Sequence, residues 1–284
     1  MKNSFTAVIR SWLTLTSVVG FMLLLVCGHQ AWAKVCSADK WCWENPLPQG
    51  HDLNDVWGTS PNDLFAVGEV GTILHYDGSV WTGMPSATDV TLRSIWGDGS
   101  SDLFAVGDDG TILHYSGSSW SVMGLPAGVT ADLAGVWGSS TDNVFAVGDE
   151  GTILHYDGSA WSVMGLPAGV TAAFHGVWGS STDNVFAVGD EGTILRYDGS
   201  NWSSESLPLL PGGVKPVFTG VWGSSGSDVF VVAERGHILR YTNNQWQYMT
   251  SGAFNTDFFA VWGSDSDNVY AVGTFGYWRV GQQR

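Results

Sequence analysis

The stretch 135–164, GVWGSSTDNVFAVGDEGTILHYDGSAWSVM, is the unit from which this chain of 284 residues is built. Six copies of it occur in some form. The Trp-Gly pair that opens each copy recurs at spacings of 39, 41, 41, 44 and 40 residues, at Trp57, Trp96, Trp137, Trp178, Trp222 and Trp262. A strand-rich unit of about 40–45 residues is typical of a propeller blade, because it cannot bury its own apolar faces and must stack on its neighbours.

Turn residues within one copy predict four short strands. In the third copy these are residues 136–138, 143–148 and 152–156, followed by a strand that begins at Trp161. Glycines flank the hairpin between the second and third strands, where positive φ is needed. Both strand faces are apolar, as expected for a blade between two others. The sequence therefore predicts an all-β fold: a six-bladed β-propeller of four-stranded blades, with repeats that open near residues 56, 95, 136, 177, 221 and 261.

The two ends of the repeat array predict how the ring closes. The sixth copy has no recognisable fourth strand, whereas residues 41–50, WCWENPLPQG, resemble WSVMGLPAG at residues 161–169, which follows a third strand. We therefore expect residues 41–46 to complete the last blade, within a single domain that spans residues 34–284. Joining both ends in one blade would remove exposed sheet edges.

Residues 1–33 have the pattern of a cleaved signal peptide. Lys2 and Arg10 precede an apolar run over residues 12–26, and Ala-Trp-Ala at residues 31–33 supplies a small-residue cleavage signal. The run is shorter than the ~20 residues that a membrane span needs. An uncleaved anchor is one alternative, and a lipoprotein at Cys27 is another, although the residue before Cys27 is not small. We predict a secreted or periplasmic protein without membrane insertion.

The charge of the chain excludes several kinds of partner. Without residues 1–33, 251 residues carry 9 Lys and Arg against 27 Asp and Glu, a net charge of −18. This acidic balance disfavours nucleic acid, which needs clustered basic residues, and adsorption to anionic lipid. It is compatible with cationic or neutral partners.

Two cysteines remain after residue 33, Cys36 and Cys42. In an oxidising compartment they would pair most simply with each other, as a staple on the N-terminal strand. The short loop suggests about 2 kcal/mol of stabilisation. Their C-x5-C spacing fits neither a redox C-x-x-C motif nor a zinc ribbon.

The turn at residues 156–161, YDGSAW, resembles the Asp-box of the BNR propellers, S-x-D-x-G-x-T-W, which lies between third and fourth strands. It recurs at residues 77–81 and 198–202, with weaker forms at 116–120 and 242–246. One residue is missing between Asp and Gly, and the leading Ser is absent. The resemblance implies the fold rather than one function, because this box is a structural turn in sialidases, photosystem II assembly factors and sugar-binding propellers alike.

No catalytic motif is recognisable. A sialidase-type site needs three converging arginines and a Tyr–Glu pair, and no arginine of the chain after residue 33 matches those positions. Residues 120–160 and 161–201 match at 36 of 41 positions. Such near-identity counts against an enzyme, because one asymmetric active site needs different residues from different blades. We expect no catalytic residue, no metal and no cofactor.

Two repeated polar positions are candidates for packing or binding. A basic residue recurs on the third strand at His75, His114, His155, Arg196 and Arg240, with Val280 aligned to it in the sixth copy. A ring of metal or anion ligands is one hypothesis, and contact with an Asp or carbonyl of a neighbouring blade is the favoured one. An aspartate precedes each second strand, at Asp63, Asp102, Asp142, Asp183, Asp228 and Asp267. Side-chain bonding to its own turn backbone explains that recurrence without any ligand.

Recognition is expected at one edge of the blades, where inter-blade loops and second-to-third-strand hairpins meet. That edge would present His175 and eight acids: Glu69, Asp108, Asp109, Asp149, Glu150, Asp190, Glu191 and Glu234. It would also carry the variable loops 86–91, 130–134, 171–175, 208–218 and 251–258. Variable loops on a rigid scaffold usually carry recognition, although the acids could also be simple solvated turn residues. We predict a monomeric binding or scaffold module for a protein or glycan, with a BNR-type glycoside hydrolase or lyase as the alternative.

Overall fold

The computed structural model describes residues 35–36, 42–43, 50–209, 211–251, 256–274 and 276–280. The chain divides into two units, residues 1–46 and 47–284. The first unit is described only at β1 (Val35–Cys36) and β2 (Cys42–Trp43), which pair antiparallel with Cys36 opposite Cys42. The disulfide stays a prediction, and so do the signal peptide and the closing strand 41–46, which lie wholly or mostly outside the described residues.

Six antiparallel sheets follow one another along the second unit, which confirms the predicted six-bladed β-propeller. Blades one to three contain β3 (Leu53–Ser60), β4 (Asp63–Gly68), β5 (Ile73–Tyr76), β6 (Trp81–Met84), β7 (Leu92–Gly97), β8 (Leu103–Gly107), β9 (Ile112–Tyr115), β10 (Trp120–Val122), β11 (Leu133–Ser140), β12 (Asn143–Gly148), β13 (Thr152–Tyr156) and β14 (Trp161–Val163). Blades four to six contain β15 (Phe174–Ser181), β16 (Asn184–Gly189), β17 (Thr193–Tyr197), β18 (Trp202–Ser204), β19 (Phe218–Ser225), β20 (Asp228–Ala233), β21 (His237–Thr242), β22 (Gln245–Thr250), β23 (Phe258–Asp265), β24 (Asn268–Gly273) and β25 (Gly276–Val280). Blade six has three strands in the described residues, and the other blades have four.

Helix is confined to single 3-10 turns in the part of the chain that the structure describes. They lie at Asp149–Gly151, Asp190–Gly192, Pro211–Gly213 and Glu234–Gly236. No described helix is long and apolar enough to cross a membrane.

Each inner blade buries both of its faces, because successive residues of a strand point to opposite neighbours. In blade three, Val144 and Ala146 pack with Phe104 of blade two. Phe145 and Val147, on the other face of β12, pack against residues of blade four. The apolar pattern on both strand faces therefore fills two separate inter-blade cores.

The inter-blade junctions share one contact, between a first-strand Trp and the first-strand Gly of the next blade. A β-carbon on Gly179 would lie 2.5 Å from the Trp137 ring, closer than non-bonded carbons approach, so only glycine admits the indole. The corresponding distances are 3.1, 2.7, 2.5 and 2.7 Å for the pairs Trp57–Gly97, Trp96–Gly138, Trp178–Gly223 and Trp222–Gly263. In blades two to five, each Trp-Gly pair therefore packs its indole on the glycine of the next blade and receives the indole of the preceding blade on its own glycine.

The end blades leave this contact incomplete. Trp262 of blade six is 64% exposed. At Gly58 of blade one, the three atoms nearest to a β-carbon would all belong to blade one itself. Val56 is 60% exposed, whereas its counterparts Ile95 and Val136 are 3% and 6% exposed. One face of blade one and one face of blade six are therefore uncovered in the described structure.

Gly179→Ala should lower the free energy of unfolding by about 1–3 kcal/mol, because the new methyl group must displace the rigid indole of Trp137. The measurement is the urea midpoint of the purified protein. Gly165→Ala is the matched control, since a β-carbon there meets nothing within 4 Å. Equal midpoints for the two variants would contradict the role given to the Trp–Gly contact.

Candidate binding face

The hairpins between second and third strands are hydrogen-bonded to the inter-blade loops, so both lie at one edge, as predicted. The backbone N–H of Asp149 donates to the Asp132 carbonyl at 2.9 Å, within blade three. The N–H of Gly71 donates to the Val90 carbonyl at 2.7 Å, in the loop that enters the next blade. We call this edge the hairpin face; it comprises residues 69–70, 108–109, 149–150, 190–191 and 234–235, with the adjoining loops.

The second residue of five hairpins has a left-handed backbone. Its φ is 52° to 56°, at Val70, Asp109, Glu150, Glu191 and Arg235. This conformation costs a non-glycine residue roughly 1–2 kcal/mol. All five side chains are exposed. Each of these hairpins therefore holds one side chain out to solvent on a strained but well-defined turn, and three of the five are acids.

Blade two neutralises part of its acidic hairpin internally. The Arg93 guanidinium donates through Nε to Asp108 Oδ1, and its Nη2 lies 3.5 Å from Asp132 Oδ2. The backbone N–H of Asp109 donates to Asp132 Oδ1 at 3.0 Å. Asp108 is therefore a structural partner of Arg93, whereas the carboxylate of Asp109 stays exposed.

Blades three and four differ at this position although their sequences are nearly identical. His175 Nε2 lies 2.8 Å from Asp190 Oδ1 in blade four. Blade three has Ala134 where blade four has His175, so Asp149 lacks that basic partner. The structure thus assigns His175 a contact with the hairpin of its own blade.

The structure spreads the eight predicted acids over five blades and does not gather them at one point. Their exposed members are Glu69, Asp109, Glu150, Glu191 and Glu234. Within the described ranges, no group of three or more His, Cys, Asp or Glu residues is placed to hold a metal ion. The arrangement can attract cationic groups through several separate contacts.

A cleft of ≈ 400 Å³ lies at this edge between blades four and five. Glu191 of the hairpin, Glu205 and Lys215 contribute its charged lining, and Leu207 and Val214 are among its apolar residues. The predicted variable loop 208–218 forms part of its wall. The cleft itself was not predicted, because it depends on how that loop folds back over blade four.

The basic residues of the third strands bond within their own blades, so the predicted contact with a neighbouring blade is wrong for most of them. His75 Nε2 lies 2.8 Å from Asp63 Oδ1, and Arg240 Nε donates to Asp228 Oδ1 at 2.6 Å. The other pairs are His114 with Asp102, His155 with Asn143 and Arg196 with Asn184. Among the bonds that the described residues make, Arg196 also reaches the next blade, where it donates to the Tyr241 hydroxyl at 2.9 Å.

Blade six continues this column with Arg279, not with Val280. Tyr270 faces Arg279 in the ladder as Phe230 faces Arg240 in blade five. The hairpin of blade six is one residue shorter than that of blade three, which displaces the sequence alignment. Arg279 Nη2 donates to Asn268 Oδ1 at 2.6 Å.

The recurring aspartates occupy two different positions. Asp63, Asp102 and Asp228 bond to the basic column, and asparagine takes that place in blades three, four and six, at Asn143, Asn184 and Asn268. Asp142, Asp183 and Asp267 lie one residue earlier. The first two accept hydrogen bonds from the Ser140 and Ser181 hydroxyls at 2.5 and 2.7 Å. Asp63 and Asp228 also accept from the Thr59 and Ser224 hydroxyls. In the described hydrogen bonds these carboxylates therefore bond to hydroxyls of their turns, where bonds to the turn backbone were predicted.

The Asp-Gly turn between third and fourth strands is held by hydrogen bonds to one carboxylate. Asp157 Oδ1 accepts from the Ser159 hydroxyl at 2.6 Å and from the backbone N–H groups of Ser159 and Ala160 at 2.9 Å each. These bonds, led by the Ser159 hydroxyl, lower the pKa of Asp157 to about 2. Gly158 has φ 88°. The Asp157 carboxylate therefore has a structural role, which is to stabilise this turn.

Comparison with known proteins shows the fold and no family. No protein-family model matches the chain, and no curated protein matches it in sequence. Among solved structures, YCF48 from Cyanidioschyzon merolae aligns with a TM-score of 0.64 and 15% identity, over 80% of this chain and 81% of that one. The RRP9 WD40 repeats align with a TM-score of 0.63 and 12% identity, over 81% of this chain and 74% of that one. The computationally designed Ika8 protein aligns with a TM-score of 0.64 and 16% identity, over 84% of this chain and 74% of that one.

Asp157 should titrate with a midpoint near pH 2 in the folded protein. Because its pKa is lower folded than unfolded, its contribution to stability is present above about pH 4 and is lost as the pH falls through about 2. The measurement is the urea midpoint of the wild-type protein and of Asp157→Ser between pH 2 and pH 7. Serine is a suitable replacement, since blade two has Ser116 there and Gly117 keeps φ 82°. A difference between the two proteins that did not shrink below pH 4 would contradict this assignment.

Proposed function

We propose that this chain is an exported, non-enzymatic propeller that binds a cationic segment of a protein partner through the hairpin face. The observation that carries the proposal is the row of exposed side chains on strained hairpin turns. Three of these positions, Asp109, Glu150 and Glu191, carry a carboxylate on three successive blades. A rigid scaffold that holds like charges at regular intervals favours an extended partner of opposite charge.

Internal contacts indicate that the two acids of a hairpin have different roles. Asp108 and Asp190, the first acids of their hairpins, bond to Arg93 and His175. The second acid is exposed, and its side chain has no bond to another described side chain. The first acid of such a hairpin therefore stabilises the turn, while the second acid remains available to bind a ligand.

A protein partner is favoured over a glycan by the positions of the aromatic residues. Sugar rings stack on exposed aromatic faces, but the fourth-strand indoles Trp120, Trp161, Trp202 and Trp246 are each 5% exposed. The first-strand indoles of blades one to five lie against glycines of the next blade. The tryptophans of the inner blades are thus used in packing.

The enzyme alternative has weaker support. The Asp-Gly turn is the motif that resembles BNR propellers, and its Asp157 carboxylate accepts hydrogen bonds that hold the turn itself. The hairpin acids lie on separate blades, and blades three and four present nearly the same residues twice. An asymmetric catalytic site would have to be built from other positions.

Export belongs to the proposal and has its own test. The pattern of residues 1–33 supports cleavage before Lys34. Intact mass measurement of the protein collected outside the cytoplasm should give a chain that begins at Lys34. Recovery of the chain with residues 1–33 still attached would contradict this part of the proposal.

Glu150→Gln should weaken binding of an oligolysine peptide by about 1.4- to 5-fold, since an exposed ion pair contributes about 0.2–1 kcal/mol. Adding Glu191→Gln should weaken it further, because the neighbouring blade presents an equivalent acid. Affinity should fall as salt shortens the screening length to ~8 Å and below. Isothermal titration calorimetry at several ionic strengths measures both effects.

The matched control places the same loss of charge on the same two blades at the opposite edge, as Asp142→Asn with Asp183→Asn. This pair should leave the affinity unchanged. Equal weakening by both pairs would mean that net charge alone drives binding and would overturn the hairpin face. Turnover of a glycan that one hairpin substitution abolishes, while its counterpart one blade away is silent, would establish the enzyme instead.

A further inference from the structure

Blade four has an acid at a position where the other four-stranded blades have a methionine. The position lies three residues after the fourth-strand Trp and is occupied in blades one to five by Met84, Met123, Met164, Glu205 and Met249. The backbone is alike at all five, because each residue lies opposite an isoleucine of the third strand in its own blade. Glu205 is therefore a change of side chain on an unchanged backbone.

The packing of the blades does not require a carboxylate at this position. The thioethers of Met123 and Met164 accept the indole N–H of the fourth-strand Trp in the next blade, at 3.3 and 3.2 Å. Glu205 Oε2 accepts the corresponding N–H, from Trp246, at 3.2 Å. A carboxylate can accept several hydrogen bonds, and among the bonds of the described residues this is the one that the Glu205 side chain makes. Glu205 thus keeps acceptor capacity that the fold does not use.

Two adjoining clefts have Glu205, Leu207 and Pro208 in their walls. The first is the cleft of ≈ 400 Å³ at the hairpin face, which we call the hairpin cleft. The second, which we call the rim cleft, has ≈ 430 Å³ and lies between the fourth strands of blades four and five. Because they share these residues, the two clefts form one groove from the hairpin face to the outer rim. The Glu205 side chain is partly exposed within it.

The rim cleft has the chemistry of a guanidinium site. Glu205 is the one charged residue in its wall, and the polar residues around it are Ser204, Ser206, Asn244 and Gln245. Each of these side chains has an oxygen that accepts hydrogen bonds. A guanidinium is a planar fork of N–H donors that keeps its charge, whereas an ammonium is a compact and more strongly hydrated charge. Several acceptors around one carboxylate therefore favour arginine over lysine.

The hairpin cleft is better suited to an apolar side chain beside that arginine. Leu207 and Val214 line it and pack against the buried core between blades four and five. Lys215 also lies in its wall and is absent from the wall of the rim cleft, so a cation is favoured in the rim cleft. The loop that carries Val214 and Lys215 belongs to the longest repeat, with 44 residues between successive first-strand tryptophans against 41 in the two repeats before it.

We propose that this groove binds an arginine of the partner protein next to a leucine-like residue. The guanidinium lies in the rim cleft against Glu205, and the neighbouring aliphatic side chain lies in the hairpin cleft. This inference rests on the proposed function, because the same cationic segment continues onto the hairpin face at Glu191. The exposed hairpin acids attract any cation, whereas Glu205 selects arginine at one place in the segment.

The test is an NMR titration of the indole N–H signals of the chain after residue 33 with the capped peptide acetyl-Gly-Leu-Arg-Leu-Gly-amide. The Trp246 signal should shift, because its N–H donates to the carboxylate that binds the guanidinium. The signals of Trp161 and Trp202, which donate to thioethers, should not shift. Replacing arginine by lysine should weaken binding, and replacing it by citrulline, which has the same shape without the charge, should weaken it about 10-fold.

Substitutions at Glu205 give the matched comparison. Glu205→Gln keeps an acceptor oxygen for the indole and should weaken binding of the arginine peptide about 10-fold, with no further loss for the citrulline peptide. Glu205→Met restores the residue of the other blades, so it should keep the wild-type urea midpoint and lose the same affinity. Asp183→Asn removes one charge from the same blade at the opposite edge and should leave binding unchanged.

The proposal would be overturned by a wild-type protein that does not bind the arginine peptide. Equal binding of that peptide by the wild type and Glu205→Gln, or equal binding of the citrulline peptide by the wild type, would also overturn it. The oligolysine titration with Glu150→Gln and Glu191→Gln is a separate measurement. If it succeeds while Glu205 has no effect, the hairpin face stands without the arginine site, and the reverse result leaves the arginine site without the hairpin face.

Discussion

The contact between the indole of one blade and the glycine of the next determines how the blades of this protein are arranged. An indole is large and rigid, and it can approach a neighbouring backbone this closely only where the β-carbon is missing. Repeating that contact five times sets the spacing of successive blades and leaves little freedom to change it. The position of every loop and hairpin depends on this spacing.

The hairpin face follows from that rigidity. A hairpin that is bonded both to the loop of its own blade and to the loop of the next cannot move without disturbing a junction. Backbone strain of the kind seen at Glu150 persists only where the surroundings hold it in place. The chain can therefore hold exposed carboxylates at defined intervals, while Arg93 and His175 fix the acids beneath them.

The hairpin face differs in chemistry from the sides of blades one and six that the described structure leaves uncovered. The hairpin face is charged and exposed, so its interactions weaken as salt screens them. The uncovered sides of blades one and six are apolar, with Val56 60% and Trp262 64% exposed, so salt screening does not weaken contacts there in the same way.

The sequence alone determined the blade, its four-strand pattern, the edge that carries the hairpins and the acids that lie there. These features are local or repeat at a constant period, so the pattern of Trp, Gly and apolar residues contains them. Only the tertiary structure decided which partner each polar group has. The shorter hairpin of blade six moves Arg279 into the column where alignment placed Val280, and the single difference between Ala134 and His175 leaves Asp149 without the partner of Asp190. The exposure of Val56 and Trp262 also appears only in three dimensions, because repeats that look equivalent in sequence have described neighbours on both sides in blades two to five and on one side in blades one and six.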